Sequence, residues 1–293
     1  MSGLAPLPSP DEWTAEEDRL GFFGPDSVTW RVHADPSYHL GGMRALMLQA
    51  LHPVAMDGVA HNSTGFRDEW WMRMTRTGQY VETVTFGTRT EARRMAARVR
   101  GLHRKLSGVE ETTGRAYRVD DPDLLLWVHA CEVESLLTTA RRAGVPLSDA
   151  DADRYVLEQV ASAQLVGVPL ATVPTSVAGL DAYFEDIRPS LATTPAAVDG
   201  VRRLFLPPMP GWLQLLTPAR PAWGTLASLG LALLPAWARR MYSLPGLALT
   251  DAAATSGLKA FRTAFLALPE RARWSPTVRA GFERMAVDED LTA

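Results

Sequence analysis

Cysteine is almost missing from this chain: Cys131 is the single one in 293 residues. An intrachain disulfide is therefore excluded, as are C-x-x-C metal sites and C-x-x-C-H haem attachment. Lysine is nearly as scarce, with only Lys105 and Lys259. Positive charge is in short supply overall, since 30 Lys and Arg face 33 Asp and Glu for a formal net charge of -3. The global electrostatic footprint of a nucleic-acid binder is absent. There is no G-x-S-x-G, no glycine-rich phosphate loop, no dinucleotide fingerprint and no H-E-x-x-H, so hydrolase, kinase, nicotinamide and zincin chemistry have no support. Residues 221–238 (PAWGTLASLGLALLPAWA) are uncharged, but a membrane span needs ~20 apolar residues. Gly224, Gly230 and Pro235 interrupt this shorter run. It reads first as a buried helix, with a membrane-contacting surface or a span as the alternatives. Residues 1–20 carry proline and acids and lack a basic region followed by an apolar core, so a cytoplasmic location is the expectation.

What is present is a globular composition, with 46% hydrophobic and 22% charged residues. Strand signals are weak and helical periodicity is strong. Residues 44–55 are apolar at helical spacing, and 68–84 place Trp70, Met74, Thr77, Val81 and Val84 near one face. Residues 90–106 open with Thr90 as a cap and Glu91 in the first turn, then repeat apolar positions with a period of 3.6. Asp121-Pro122 is a cap followed by proline at the first helical position, opening a helix that Gly144 ends. The first two turns of that helix are apolar on every side, which predicts a central, buried position. Further helices are expected over 147–166, 180–187, 195–204 and 252–268, with 204–221 as a surface loop. The expected fold is all-α. One large domain spans 21–287, between a mobile tail at 1–20 and an acidic tail at 288–293.

All six histidines lie in the first 129 residues, so chemistry is expected in the N-terminal half. His103 falls on the apolar stripe of its helix, between Val99 and Leu106. A neutral imidazole there either bonds a backbone carbonyl or offers one nitrogen to a metal. Arg73 and Thr77 are spaced four apart on an apolar face. An Arg there needs a partner, either an acid of a neighbouring helix or an anionic ligand such as a cofactor carboxylate. His129 and Glu132 share a helix face, but neither His103 nor His129 follows a Glu by three, which argues against a di-iron bundle. His52, Asp57 and His61 could form a two-histidine, one-carboxylate iron site, although Pro53 and Gly58 point instead to a helix end. Cys131, mid-helix in an apolar run, reads as an inert buried thiol more readily than as a haem thiolate or a nucleophile.

Three runs carry a resemblance: RALMLQALHPVAMDGVAHNSTGF, RMTRTGQYVETVTFGTRTEARRMAARVRGLHRKLSG and GRAYRVDDPDLLLWVHACEVES. In this order and spacing they resemble the rubber-oxygenase (latex-clearing protein) and MpaB-type oxygenase family over residues 28–190. The resemblance implies a globin-like helical core around a non-covalent haem b (heme b), and dioxygen chemistry on carbon–carbon double bonds of isoprenoids. It implies that His103, in the V-x-x-x-H-x-x-x-x-G segment, is the proximal haem ligand. Arg73 and Thr77 match the family's Arg and Thr near the haem, and His129 matches the histidine of its W-V-H-A segment. Asp57 is the nearest match to a carboxylate base. Rubber oxygenases have a lysine just before the Thr, where this chain has Arg76, and a guanidinium cannot coordinate iron.

The expected activity is a haem-dependent oxygenase acting on an apolar small molecule such as an alkene or terpenoid. Hydroxylation or dehydrogenation of a biosynthetic intermediate is an alternative. So is a non-catalytic lipid- or membrane-surface-binding protein, resting on Trp212, Trp223 and Trp237 in the Trp- and Pro-rich region 204–249.

Overall fold

The computed structural model describes residues 5–62, 70–111, 114–209, 217–244 and 247–292. In chain order the helices are α1 (Ala15–Leu20), α2 (Val28–His33), α3 (Ser37–Gln49), α4 (Pro53–Asn62), α5 (Trp70–Phe86) and α6 (Arg89–His103). A hairpin of β1 (Ser107–Val109) and β2 (Ala116–Arg118) follows. Next come α7 (Pro122–Ala143), α8 (Asp149–Glu158), α9 (Val160–Val166), α10 (Val177–Ile187) and α11 (Pro195–Phe205). The chain continues with α12 (Ala219–Ala232), α13 (Ala236–Met241), α14 (Ala248–Leu266), α15 (Glu270–Arg273) and α16 (Pro276–Thr292). The fold is all-α.

The apolar run of 122–143 makes α7 the central helix, as its sequence implies. Asp121 caps it by accepting from Asp123 N at 3.0 Å, and Gly144 ends it at φ 88°. Trp127, Ala130, Cys131 and Leu136 are fully or nearly fully buried in the main core. α7 packs most extensively on α3. A glycine permits this approach, because a Cβ on Gly41 would sit 2.9 Å from Leu136 Cδ2 and 3.3 Å from its Cα. One ion pair crosses the same interface. Arg44, 1% exposed, donates to both Glu134 carboxylate oxygens, to Ser135 Oγ and through Nε to Leu233 O at 2.9 Å. Breaking such a buried pair from one side costs about 3–5 kcal/mol.

The structure redraws several boundaries. The cap of α6 is Thr88 and not Thr90: Thr88 Oγ1 accepts from Glu91 N at 3.1 Å and Glu91 returns a bond to Thr88 N at 2.9 Å. The reciprocal capping box satisfies two orphan donors where a lone Thr satisfies one. Residues 147–166 form two helices meeting at Gln159, not one. The 221–238 run is also two helices, with Pro235 as the N-cap of the second. Its inner face is packed: Ala227, Gly230, Leu233 and Ala238 are buried, and Gly230 lies against Met43. Among the described residues no helix is long and apolar enough to cross a membrane. Residues 5–20, expected to be a tail, are held against the body. Leu7 N donates to Gln164 Oε1 at 3.0 Å, Thr90 N donates to Asp18 Oδ1 at 2.7 Å, and Arg93 lies over the Trp13 ring at 5.0 Å. α16 continues through 288–292, where an acidic tail was expected.

Candidate active site

α5 and α6 form an antiparallel helical hairpin turned at Gly87. The hairpin packs on α2, α9 and α16 rather than closely along α7. Its inner face therefore stands off the central helix, and the side chains flanking that gap are unusual for an interior.

His103 is the last residue of α6 and is half-buried. Its Nδ1 is buried without a hydrogen-bond partner. Burial holds its pKa below the ordinary value, with Asp120 opposing and Arg73 adding to the depression. The imidazole is thus neutral at pH 7, the form that binds a metal. The hairpin that follows locks this helix end. Val119 N donates to Leu106 O at 3.0 Å, and Arg118 Nη2 donates to Arg104 O at 3.3 Å. Tyr117, buried, lies across Gly108 and against Gly58 of α4, where any side chain on Gly108 would strike the ring. Sequence reasoning missed this hairpin, whose strands are only three residues each.

Arg73 extends from α5 to the border of two environments. It is near enough to His103 to influence its titration, and it lines a cavity of about 110 Å³. The other lining residues, such as Leu46, Met56, Val59, Met74 and Val128, make that cavity largely apolar, and among the described residues Arg73 is its single charged member. Arg73 forms no ion pair or hydrogen bond with any described residue, although burial lowers its pKa. The acid of a neighbouring helix, one of the two partners the sequence allowed, is not there among the described residues. Desolvating an unpaired cation is costly, so this position calls for an anion.

Three large apolar side chains adjoin these residues in sequence and keep their surface: Met72 at 40%, Leu102 at 55% and Val128 at 40%. Exposure of Val128 on the most buried helix of the fold means that it borders open space. One turn further on, Glu132 lies deep in the molecule yet keeps some accessible surface, and burial pushes its pKa up to about 7.

The remaining expected residues are distributed as follows. His129 is buried in α7, its pKa pushed down to about 4 by desolvation, so it is neutral. Thr77 and Arg76 are exposed on α5; Thr77 lies off the buried stripe where its spacing put it. Asp57, 4% exposed, follows cavity-lining Met56 on α4 and precedes Gly58, which lies against Tyr117 of the β-hairpin. His52 caps α4, its Nδ1 accepting from Ala55 N at 3.3 Å, which is the helix-end role and not that of an iron ligand. The side chain of His61 lies outside the described residues, as does Trp212. Among the described residues there is no group of three His, Cys, Asp or Glu able to hold a metal ion, so an all-protein metal site is not formed there. Cys131 is fully buried with its thiol pKa pushed well up, an inert group. His33 is the satisfied core histidine of this chain: its Nδ1 meets Thr85 Oγ1 at 2.8 Å and its Nε2 meets Tyr155 OH at 3.0 Å.

The site thus combines an all-α frame, a largely apolar cavity, a neutral imidazole and, among the described residues, a guanidinium without a counter-charge. Comparison with known families places it further. Residues 30–268 match the family described as ER-bound oxygenase mpaB/B'/Rubber oxygenase, catalytic domain, and the chain belongs to this family. It is therefore an oxygenase-family protein, an oxidoreductase that uses dioxygen. No curated protein and no solved structure matches the chain.

The resemblance drawn from the sequence adds a haem, and the residues present fit one. His103, neutral and with its Nδ1 unpartnered, would hold the iron, Arg73 would meet a propionate, and Val128 with the apolar cavity lining would pack on the macrocycle.

Proposed function

We propose that this protein is a haem b-dependent oxygenase that acts with dioxygen on an apolar small molecule, an alkene or terpenoid. The observation that carries the reading is Arg73: a half-buried cation, without a counter-charge among the described residues, between the neutral His103 and an apolar cavity. His103 would hold the haem iron through a ring nitrogen. Arg73 would bind a propionate or polarise an oxygen atom in the cleft, as a permanently charged donor. Bound haem supplies the redox chemistry with dioxygen. The protein contributes orientation and a dry pocket. Leu46, Met56 and Val128 receive hydrocarbon and exclude water, which strengthens every charge interaction at Arg73. Thr77, exposed one turn beyond Arg73 on α5, would supply a hydroxyl donor, and Arg76 beside it, a permanent cation, would not coordinate the haem iron. Asp57 would be the base from α4, and the buried, neutral His129 a support on α7.

An apolar substrate dissolved in lipid suits the exposed leucines of the C-terminal half, Leu206, Leu247 and Leu249, the last at 79%. Peripheral membrane contact through 204–249 would let the substrate enter without crossing water, and co-sedimentation with lipid vesicles measures it.

The decisive experiment is an absorbance spectrum after haem addition. A Soret band that His103→Ala weakens or shifts is the expected result. Absence of any band ends the haem reading, and a band indifferent to His103→Ala removes the ligand assignment. Product analysis under labelled dioxygen with candidate alkenes then separates cleavage from hydroxylation and from dehydrogenation.

A further inference from the structure

Two glutamates sit two residues apart on α7 and live in opposite circumstances. Glu134 accepts both guanidinium nitrogens of Arg44 and the hydroxyl of Thr138 at 3.1 Å, so its charge is fully compensated. That is what a structural carboxylate on this helix looks like. Glu132 has no hydrogen bond and no ion pair with any described residue. Among the described residues no cation offsets its charge. The titratable groups that feel its charge are the hydroxyls of Tyr38 on α3, Tyr80 on α5 and Tyr155 on α8.

One of those hydroxyls is orphaned as well. Tyr155 OH is matched by His33 Nε2, but Tyr80 OH is buried with no partner. Tyr80 lies two turns beyond Arg73 on α5 and Glu132 one turn beyond Val128 on α7, and the charge of Glu132 reaches the Tyr80 hydroxyl. They are close enough for charge to act between them and too far apart to bond directly. Burying a hydroxyl unpaired, as at Tyr80, is costly, and native interiors avoid it unless a water or a ligand supplies the partner. An oxygen atom placed between them satisfies both.

We propose that Glu132 is a proton-exchanging residue of this cleft, with Tyr80 as the hydroxyl that shares its proton through an intervening oxygen. In the exchange the Glu132 Oε–H bond breaks and the proton passes to an oxygen of the group in the cleft. The carboxylate left behind is steadied by the Tyr80 O–H, which donates towards it through that oxygen. A proton from solvent restores the acid, and no electron moves. The raised pKa of Glu132, about 7, poises it for exchange near neutrality.

The test has one arm without haem and one with it, and the second rests on the haem reading above. In the protein alone, infrared spectroscopy across pH 5–9 reads protonated carboxyl groups. A carboxyl band that titrates near neutral pH, is lost in Glu132→Gln, persists in Glu132→Asp and shifts in Tyr80→Phe is expected. No such band in the wild type, or a band unchanged by Glu132→Gln, overturns the proposal even if no haem binds. In the haem-loaded protein the probe is cyanide, because hydrogen cyanide must give up its proton on binding. Its association rate should fall about 10²-fold in Glu132→Gln and lose its pH inflection, with Glu132→Asp restoring both. A rate and pH profile unaltered by Glu132→Gln also overturns it. If Glu132→Gln does not fold, Tyr80→Phe and Glu132→Asp decide the same question by the band shift.

Discussion

Replacing Glu132 by Gln should change the pH dependence of stability in a way few other substitutions would. In the unfolded chain this carboxyl titrates at its ordinary 4.5, and in the fold at about 7. Below the lower value both states hold the proton and nothing is lost. Between the two, the unfolded chain ionises while the fold keeps its proton, so wild-type stability falls as pH rises. Above the upper value both are ionised and the full difference persists. At about 1.4 kcal/mol per tenfold change in proton affinity, the gap amounts to about 3 kcal/mol. Glutamine carries no such dependence. The variant should therefore gain on the wild type by about 3 kcal/mol between pH 4 and pH 8, with most of the gain above pH 5. Urea unfolding followed by circular dichroism at several pH values measures it, since the linear extrapolation gives a free energy at each. A wild-type-to-variant difference that is the same at pH 5 and pH 8 would refute the assignment of Glu132 as a buried, uncompensated acid.

Other outcomes follow from the same reasoning. Arg44→Ala leaves Glu134 buried without its cation and should lose about 3–5 kcal/mol, read from the same urea curves. Gly41→Val forces side-chain atoms onto Leu136 and should cost about 1–3 kcal/mol or more, with a fall in Tm. Arg73→Met should raise the Tm of the haem-free protein, by removing an uncompensated cation, while weakening haem binding in a titration; a variant that lowers both Tm and affinity would mean that Arg73 is structural. His33 and His129 are held neutral, with pKa values pushed down to about 3 and about 4. The unfolded chain takes up protons below 6.5 that the fold refuses. Stability should fall as pH drops from 6.5 towards 4, and His129→Phe should flatten part of that slope in acid-unfolding curves.

The contrast between Arg44 and Arg73 shows how far a sequence can be read. Both are arginines on apolar helical stripes, and periodicity alone cannot tell them apart. Their difference lies in α7, which offers Glu134 to one and only apolar side chains to the other near the cavity. Similarly, the spacing of His129 and Glu132 put them on one helix face, but not that the acid would lack a partner. Tyr80 carried no signal at all beyond its place two turns from Arg73, because an orphaned hydroxyl is a property of what surrounds it. The β-hairpin behind His103 was hidden by its length, since three-residue strands leave no readable alternation.

The order of hydrophobic and polar residues, the caps at Asp121 and Gly144 and the long apolar start of α7 were enough to determine an all-α fold with that helix at its centre. These are local matters, decided by backbone hydrogen bonding and by which face of each helix avoids water. The family motifs likewise lie in the linear order of residues. Which histidine is satisfied and which is free, which arginine is neutralised and which is not, and where the interior stays open were decided only by packing. Desolvation and charge compensation depend on atoms brought in from distant parts of the chain, and no local pattern contains them.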